Sequence, residues 1–148
     1  MDIYLDTCCY GRQFDNQEQP NIAAETIAVM TAIDTCKIAG YGIIGSEAVI
    51  YELENIRNDV LKEDVIKFYQ NTITRQILLT ENNHTRARTL QAEGLGRMDS
   101  YHLAVAEAVG AKFLLTTDYD FERICAKKNL SFVKVINPLT ILTEAINE

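Results

Sequence analysis

The stretch Lys112-Phe-Leu-Leu-Thr-Thr-Asp-Tyr-Asp-Phe121 contains a short apolar run, Phe113–Leu115, that leads directly into a polar turn. The amino terminus repeats this pattern, because the apolar run Ile3–Leu5 is followed at once by Asp6. Short continuous apolar runs are typical of strands that are buried on both faces, as in a parallel sheet. Asp6 and Asp118 therefore follow two predicted strands, and we expect both carboxylates at the same edge of the sheet.

Predicted strands and helices alternate along the rest of the chain. Three further runs predict strands: Tyr41–Gly45, Ile77–Leu79 and Phe132–Ile136. Apolar residues at helical spacing predict helices over residues 22–39, 46–53, 61–73, 82–93 and 98–109, a short one through Ile124 and a last one opened by Pro138. This alternation predicts an α/β fold with a parallel sheet.

Length and composition indicate one ordinary globular domain covering residues 1–148, with 47% hydrophobic and 24% charged residues. No apolar stretch approaches the length of a membrane span. The opening Met1-Asp-Ile-Tyr-Leu-Asp6 lacks a signal-peptide pattern. We therefore expect a cytoplasmic protein that does not bind membranes.

Charge and cysteine usage limit the kinds of site. The net charge of −7 argues against a broad basic surface for nucleic acid. It is compatible with a nuclease, because a cation bound by some of the carboxylates reverses the local field. The four cysteines form no Cys-x-x-Cys pair and only two histidines are present, so we expect buried reduced thiols and no zinc site: Cys8, Cys9, Cys36 and Cys125.

Two more carboxylates are predicted near the edge where Asp6 and Asp118 lie. Asp99 falls in the first turn of a predicted buried helix, where the helix dipole favours negative charge. Glu52 lies about two turns into the helix that follows the second strand. A cluster of such hard oxygen ligands suits Mg²⁺ or Mn²⁺. Each residue also has a local interpretation: Asp6, Asp118 and Asp120 as turn or cap residues, Asp99 as a favourable helix charge, and Glu52 as an exposed helix residue.

Four stretches in a fixed order carry a resemblance to a known family: Tyr4-Leu-Asp-Thr7, Ser46-Glu-Ala-Val-Ile-Tyr-Glu-Leu53, Asp99-Ser-Tyr-His-Leu-Ala-Val-Ala106 and Lys112–Phe121. Together they resemble the PIN-domain ribonucleases, which include the VapC-type toxins of toxin–antitoxin pairs. The resemblance implies a three-layer α/β/α fold with a mainly parallel sheet and a metal-dependent endoribonuclease. It further implies an RNA substrate, an antitoxin partner and a homodimer. The catalytic and metal-binding residues it implies are Asp6, Glu52, Asp99 and Asp118, with Asp120 as an additional ligand and Thr116 or Thr117 orienting a carboxylate or water.

The chain departs from the usual family pattern in two places. Cys8-Cys-Tyr-Gly-Arg12 replaces an Asn- or Ser-containing segment, which resembles a subgroup with an Asp-Thr-Cys-Cys opening. His102 occupies a position that is commonly aliphatic, and we interpret it as a packed helix residue rather than a catalyst.

Arginines adjoin three of the acidic segments and are candidates for substrate phosphate contacts, because guanidinium matches phosphate geometry: Arg12, Arg97 and Arg123. Ordinary solvated surface arginines are the alternative.

Three other functions fit the sequence less well than a nuclease. A non-catalytic PIN-like module that binds RNA or protein is disfavoured because all four acidic positions are filled. A phospho-acceptor receiver domain would need a lysine after the last strand, where this chain has Ile136-Asn-Pro138. A haloacid-type phosphatase would need Asp-x-Asp after the first strand, where this chain has Asp6-Thr-Cys8.

Overall fold

The computed structural model describes the backbone of residues 1–146 and the side chains of residues 1–142. Its strands are β1 Asp2–Leu5, β2 Gly42–Ser46, β3 Arg75–Ile77, β4 Phe113–Leu115 and β5 Lys134–Ile136. Its helices are α1 Thr7–Gly11, α2 Pro20–Ala39, α3 Glu47–Glu54, α4 Asp59–Thr72, α5 Glu81–Ala92, α6 Arg97–Ala108, α7 Tyr119–Lys128 and α8 Pro138–Ile146. A 3-10 turn at Arg12–Phe14 follows α1.

The strands form one parallel sheet in the order β3-β2-β1-β4-β5, flanked by helices. The chain builds outward from β1 to β3 and then returns to β4 on the other side of β1. In such sheets ligands bind beyond the strand ends, at the point where the strand order reverses. Leu5 of β1 pairs with Leu115 of β4, so the residues that follow both strands emerge side by side. The predicted α/β/α fold with a parallel sheet is therefore confirmed.

The central strands and helix α6 form the middle of the core. Leu5, Ile43 and Leu114 are at most 2% exposed, which agrees with the continuous apolar runs that predicted these strands. The prediction that α6 is a buried helix is also confirmed, because Leu103 and Val105 have no exposed surface. Each such side chain stabilises the fold by about 1.5–3 kcal/mol relative to an exposed position. Helix α6 is therefore anchored in the core, where it packs on β1, β2 and β4.

Several boundaries differ from the predictions. The third strand is Arg75–Ile77, not Ile77–Leu79, and Leu78 is 68% exposed. The last strand is Lys134–Ile136, not Phe132–Ile136, and Phe132 is 71% exposed. The short helix α1 was not predicted. In the part of the chain described here, no helix combines the length and the apolar character needed to cross a bilayer.

Candidate active site

Asp6 and Asp118 each begin a helix at the edge where β1 and β4 end. Asp6 is the N-cap of α1 and its Oδ1 accepts a hydrogen bond from the Thr7 amide at 2.7 Å. Asp118 is the N-cap of α7 and its Oδ1 accepts from the amides of Asp120 at 3.0 Å and Phe121 at 3.2 Å. Asp118, and not Asp120, therefore caps this helix.

Thr116 connects these two acidic segments. Its hydroxyl donates to Asp6 Oδ2 at 2.7 Å and accepts from the Asp118 amide at 3.0 Å. Asp6 is only 6% exposed, so both of its oxygens are held by groups of the protein in a fixed direction. The prediction that Thr116 orients a carboxylate is confirmed, whereas the Thr117 hydroxyl accepts a hydrogen bond from Arg12 Nη2.

Glu52 reaches the same place from α3. Its Oε1 accepts a hydrogen bond from Thr7 Oγ1 at 2.6 Å and lies 2.5 Å from His102 Nε2. His102 Nε2 also lies 3.4 Å from Asp6 Oδ1. One potential ligand atom from each of Asp6, Glu52 and His102 lies within 4.8 Å of the other two, which is compact enough for a single ion.

The interpretation of His102 as only a packed helix residue is therefore incomplete. The side chain is fully buried, as that interpretation required, but its Nε2 atom contacts the acidic cluster. A sequence signal existed, because His102 lies three residues after Asp99 and so on the same face of α6. Thr7, which also holds Glu52, carried no comparable signal.

Asp99 lies in the first turn of α6, as predicted, and is partly buried. Burial and then the negative charges of Asp6 and Asp118, with a smaller effect of Glu52, raise its pKa to about 7, against the opposing charge of His102. Asp99 is thus electrostatically coupled to the other three predicted carboxylates. Within the described residues, neither Asp99 nor Asp118 belongs to the compact group of Asp6, Glu52 and His102.

The contact between Glu52 and His102 favours the charged forms of both side chains. Burial alone would raise the pKa of Glu52, but the hydrogen bond and charge of His102 and the hydrogen bond from Thr7 lower it. Burial alone would lower the pKa of His102, but the charge of Asp6, the hydrogen bond and charge of Glu52, and Asp99 raise it. A positive charge on His102 would partly offset the mutual repulsion of the carboxylates.

The three arginines and Asp120 differ in their exposure and in the groups they contact. Arg12 is already engaged, since its guanidinium lies 2.9 Å from Asp15 and 3.6 Å from Glu25 and also donates to Thr117. Arg97 is exposed, with its guanidinium 5.7 Å from the centre of the Tyr51 ring. Asp120 and Arg123 are exposed and lie 3.7 Å apart. Their predicted roles, phosphate contact for the arginines and metal binding for Asp120, stay predictions.

The Cys8–Cys9 pair packs α1 against the end of β4. Cys9 Sγ lies 3.3 Å from the Leu115 carbonyl oxygen, and the Thr117 amide donates to Cys8 Sγ at 3.4 Å. All four cysteines are free thiols; Cys9, Cys36 and Cys125 are buried, as expected, whereas Cys8 is partly exposed. The two cysteines therefore help to hold the loop after β4, which carries Thr116 and Asp118, beside Asp6.

A family model described as PIN domain matches residues 3–127 of this chain. The chain belongs to the PIN domain family. Among solved structures, this PIN domain is similar to the crystal structure of VapBC2 from Rickettsia felis bound to a DNA fragment from their promoter. The TM-score is 0.61 at 15% sequence identity, covering 93% of this chain and 98% of that one, so the likeness concerns the fold. Among curated proteins, none matches this chain in sequence.

The donor groups in this PIN domain fit a hard divalent cation. Asp6 and Glu52 offer carboxylate oxygens within reach of one ion, and oxygen is the ligand that Mg²⁺ and Mn²⁺ prefer. Burial is the largest cause of the raised pKa of Asp99, and repulsion by the neighbouring carboxylates is the next. A bound cation would relieve that repulsion.

Proposed function

We propose that this PIN domain is a metal-dependent endoribonuclease that hydrolyses RNA phosphodiester bonds. The observation that carries the proposal is that Asp6 and Glu52 lie within reach of one ion where the strand order reverses, and that the charges of Asp6, Asp118 and Glu52 act on Asp99. Thr7 and Thr116 hold two of these carboxylates in place, and Asp99 is electrostatically coupled to the others. Membership of the PIN domain family over residues 3–127 supports the same reaction class.

In this proposal Asp6, Glu52, Asp99 and Asp118 would hold Mg²⁺ or Mn²⁺, with Asp120 as an additional ligand. Such a cation supplies Lewis-acid activation of the phosphoryl group and of water. The protein orients the ligands through Thr7 and Thr116. The exposed guanidinium groups of Arg97 and Arg123 lie near the acidic segments and supply phosphate contacts, a role that Arg12 shares only if it leaves Asp15 and Glu25.

The first experiment is cleavage of end-labelled single-stranded RNA in Mn²⁺ or Mg²⁺, with an EDTA control. Asp99→Asn removes one charge from the cluster without changing side-chain size, so we expect it to lose cleavage. Asp34→Asn is the matched control, because Asp34 is exposed near the end of α2 that leads into the opposite edge of the sheet. Cleavage that persists in EDTA, or that Asp99→Asn leaves intact, would contradict the proposal. RNA binding by the wild type without cleavage would instead favour the non-catalytic binding module.

We further propose that the protein is the toxin of a toxin–antitoxin pair, a cytoplasmic homodimer built from one domain over residues 1–148. The support is the VapBC2 complex among similar folds, together with the acidic cluster, which a basic antitoxin segment would complement. Induced expression should arrest growth for the wild type and not for Asp99→Asn. Light scattering on the purified protein measures the number of subunits.

A further inference from the structure

We propose that His102 is a positioning residue that, together with Thr7, fixes the Glu52 carboxylate for metal binding. This inference rests on the proposed function and adds His102, which is not among the predicted ligands, to Thr7 as a second group that holds Glu52.

Both residues act on the same oxygen atom of Glu52. Thr7 Oγ1 donates to Oε1 at 2.6 Å and His102 Nε2 lies 2.5 Å from the same Oε1. The Glu52 side chain is 31% exposed and has three rotatable torsions, so packing alone does not hold it. Two donors on one oxygen restrict the carboxylate and leave its other oxygen, Oε2, for a cation.

The imidazole ring of His102 is itself held by a buried chain of polar groups. Its Nδ1 atom lies 2.5 Å from the Tyr4 hydroxyl, which lies 2.7 Å from Ser46 Oγ. Ser46 Oγ in turn accepts from the Val49 amide at 3.3 Å, as the N-cap of the helix that carries Glu52. Tyr4, Ser46 and His102 have no exposed surface. This series of hydrogen bonds therefore links α6, β1 and the start of α3, and it sets the distance from His102 to Glu52.

The geometry favours a donor role over direct metal ligation. A carboxylate oxygen only accepts hydrogen bonds, so the proton of the 2.5 Å contact sits on His102 Nε2. The Tyr4 hydroxyl can donate to Nδ1 or accept from it, so either arrangement satisfies the ring. With Nε2–H directed at Glu52, that nitrogen has no lone pair to offer a cation. His102 thus supports a ligand in the way that outer partners support metal ligands in other proteins.

The experiment measures Mn²⁺ affinity from the electron paramagnetic resonance signal of free Mn²⁺ in the wild type, His102→Leu and His102→Gln. We expect His102→Leu to weaken Mn²⁺ binding by about 10–100-fold, the usual loss for such a partner. His102→Gln should recover most of the affinity, because its amide N–H can donate to Glu52. His84→Leu is the matched control, since His84 lies on α5 and contacts Tyr101 at 2.8 Å.

A double-mutant cycle separates positioning from a general loss of structure. If His102 acts through Glu52, His102→Leu should change Mn²⁺ affinity little when Glu52 is already Gln. Melting in EDTA shows whether each variant is folded. Should His102→Leu not fold, Thr7→Val against Thr7→Ser makes the same comparison on the same oxygen from a partly exposed position.

Three outcomes would overturn the inference. The first is wild-type affinity in both His102→Leu and Thr7→Val, and the second is full additivity with Glu52→Gln. The third is nitrogen hyperfine coupling in the bound Mn²⁺ signal that responds to ¹⁵N-histidine, which would make His102 a ligand. A wild type that binds no Mn²⁺ would remove the proposed function and this inference with it, whereas binding that is insensitive to His102 removes the inference alone.

Discussion

Replacing Asp99 by Asn should stabilise the metal-free protein at alkaline pH while abolishing its proposed activity. The pKa of Asp99 rises from 3.8 to about 7 in the folded protein, first through burial and then through Asp6 and Asp118. Because the folded pKa lies above the unfolded one, the folded state binds the extra proton between these values. Stability therefore falls as the pH rises from 3.8 to about 7, and the loss is complete above that range.

The size of the effect follows from the same shift. Each pKa step of one corresponds to about 1.36 kcal/mol, so the upper limit of the effect is about 4 kcal/mol. Asp99 is partly exposed, and solvent screening reduces this to roughly 2–3 kcal/mol. For a chain of this length, such a gain raises Tm by about 4–12 °C. Asparagine has the same shape without the charge, so it should deliver this gain at pH 8 and almost none at pH 4.

The assay is thermal melting in EDTA from pH 4 to pH 8 for the wild type, Asp99→Asn and Asp34→Asn. Taking the difference between variants cancels the titration of other groups. Saturating Mn²⁺ should then stabilise the wild type and not Asp99→Asn. A variant that is no more stable than the wild type at pH 8, or is equally stabilised at pH 4, would refute the electrostatic argument.

Three further predictions concern the cation, the threonine link and the arginines. Mg²⁺ or Mn²⁺ at 100 times its Kd should stabilise the wild type by about 2.7 kcal/mol and so raise its Tm. An unchanged Tm would count against the site. Thr116→Val removes the hydrogen bond to Asp6 and should cost about 1–3 kcal/mol in urea denaturation, with Thr116→Ser close to wild type. Arg97→Ala should lower the slope of log affinity for RNA against log salt by about one, whereas Arg12→Ala should mainly destabilise the fold, because Arg12 pairs with Asp15 and Glu25. An unchanged slope for Arg97→Ala would exclude that phosphate contact.

The carboxylates were predictable because strand ends carry positional information. Asp6 and Asp118 follow buried strands, and parallel strands bring their carboxyl ends to one edge. The position of Asp99 in the first turn of a helix follows from the long apolar run that begins beside it. These inferences need only local sequence patterns and the rule that the carboxyl ends of parallel strands lie at one edge of the sheet.

Edge strands and helix starts carry less of that information. β3 pairs along Arg75–Ile77 although Leu78 and Leu79 are more apolar, because register with β2 decides the pairing. One side of this strand is open to solvent, so its polar residues cost little. Asp6 is the N-cap of helix α1, but in the sequence the same residue is equally compatible with the start of a loop.

The sequence by itself determined the parallel α/β fold, the burial of α6 and the acidic residues at the strand ends, because each follows from periodicity or from a local order of residue types. Only the tertiary structure decided which polar atoms meet. His102 contacts Glu52 across 50 residues and Tyr4 across 98, and Arg12 contacts Thr117 across 105. Such pairs depend on how whole elements pack, and hydrogen bonds are sensitive to shifts of a few tenths of an ångström. A helical pattern shows that a histidine is buried; the packing of three elements decides which carboxylate it holds.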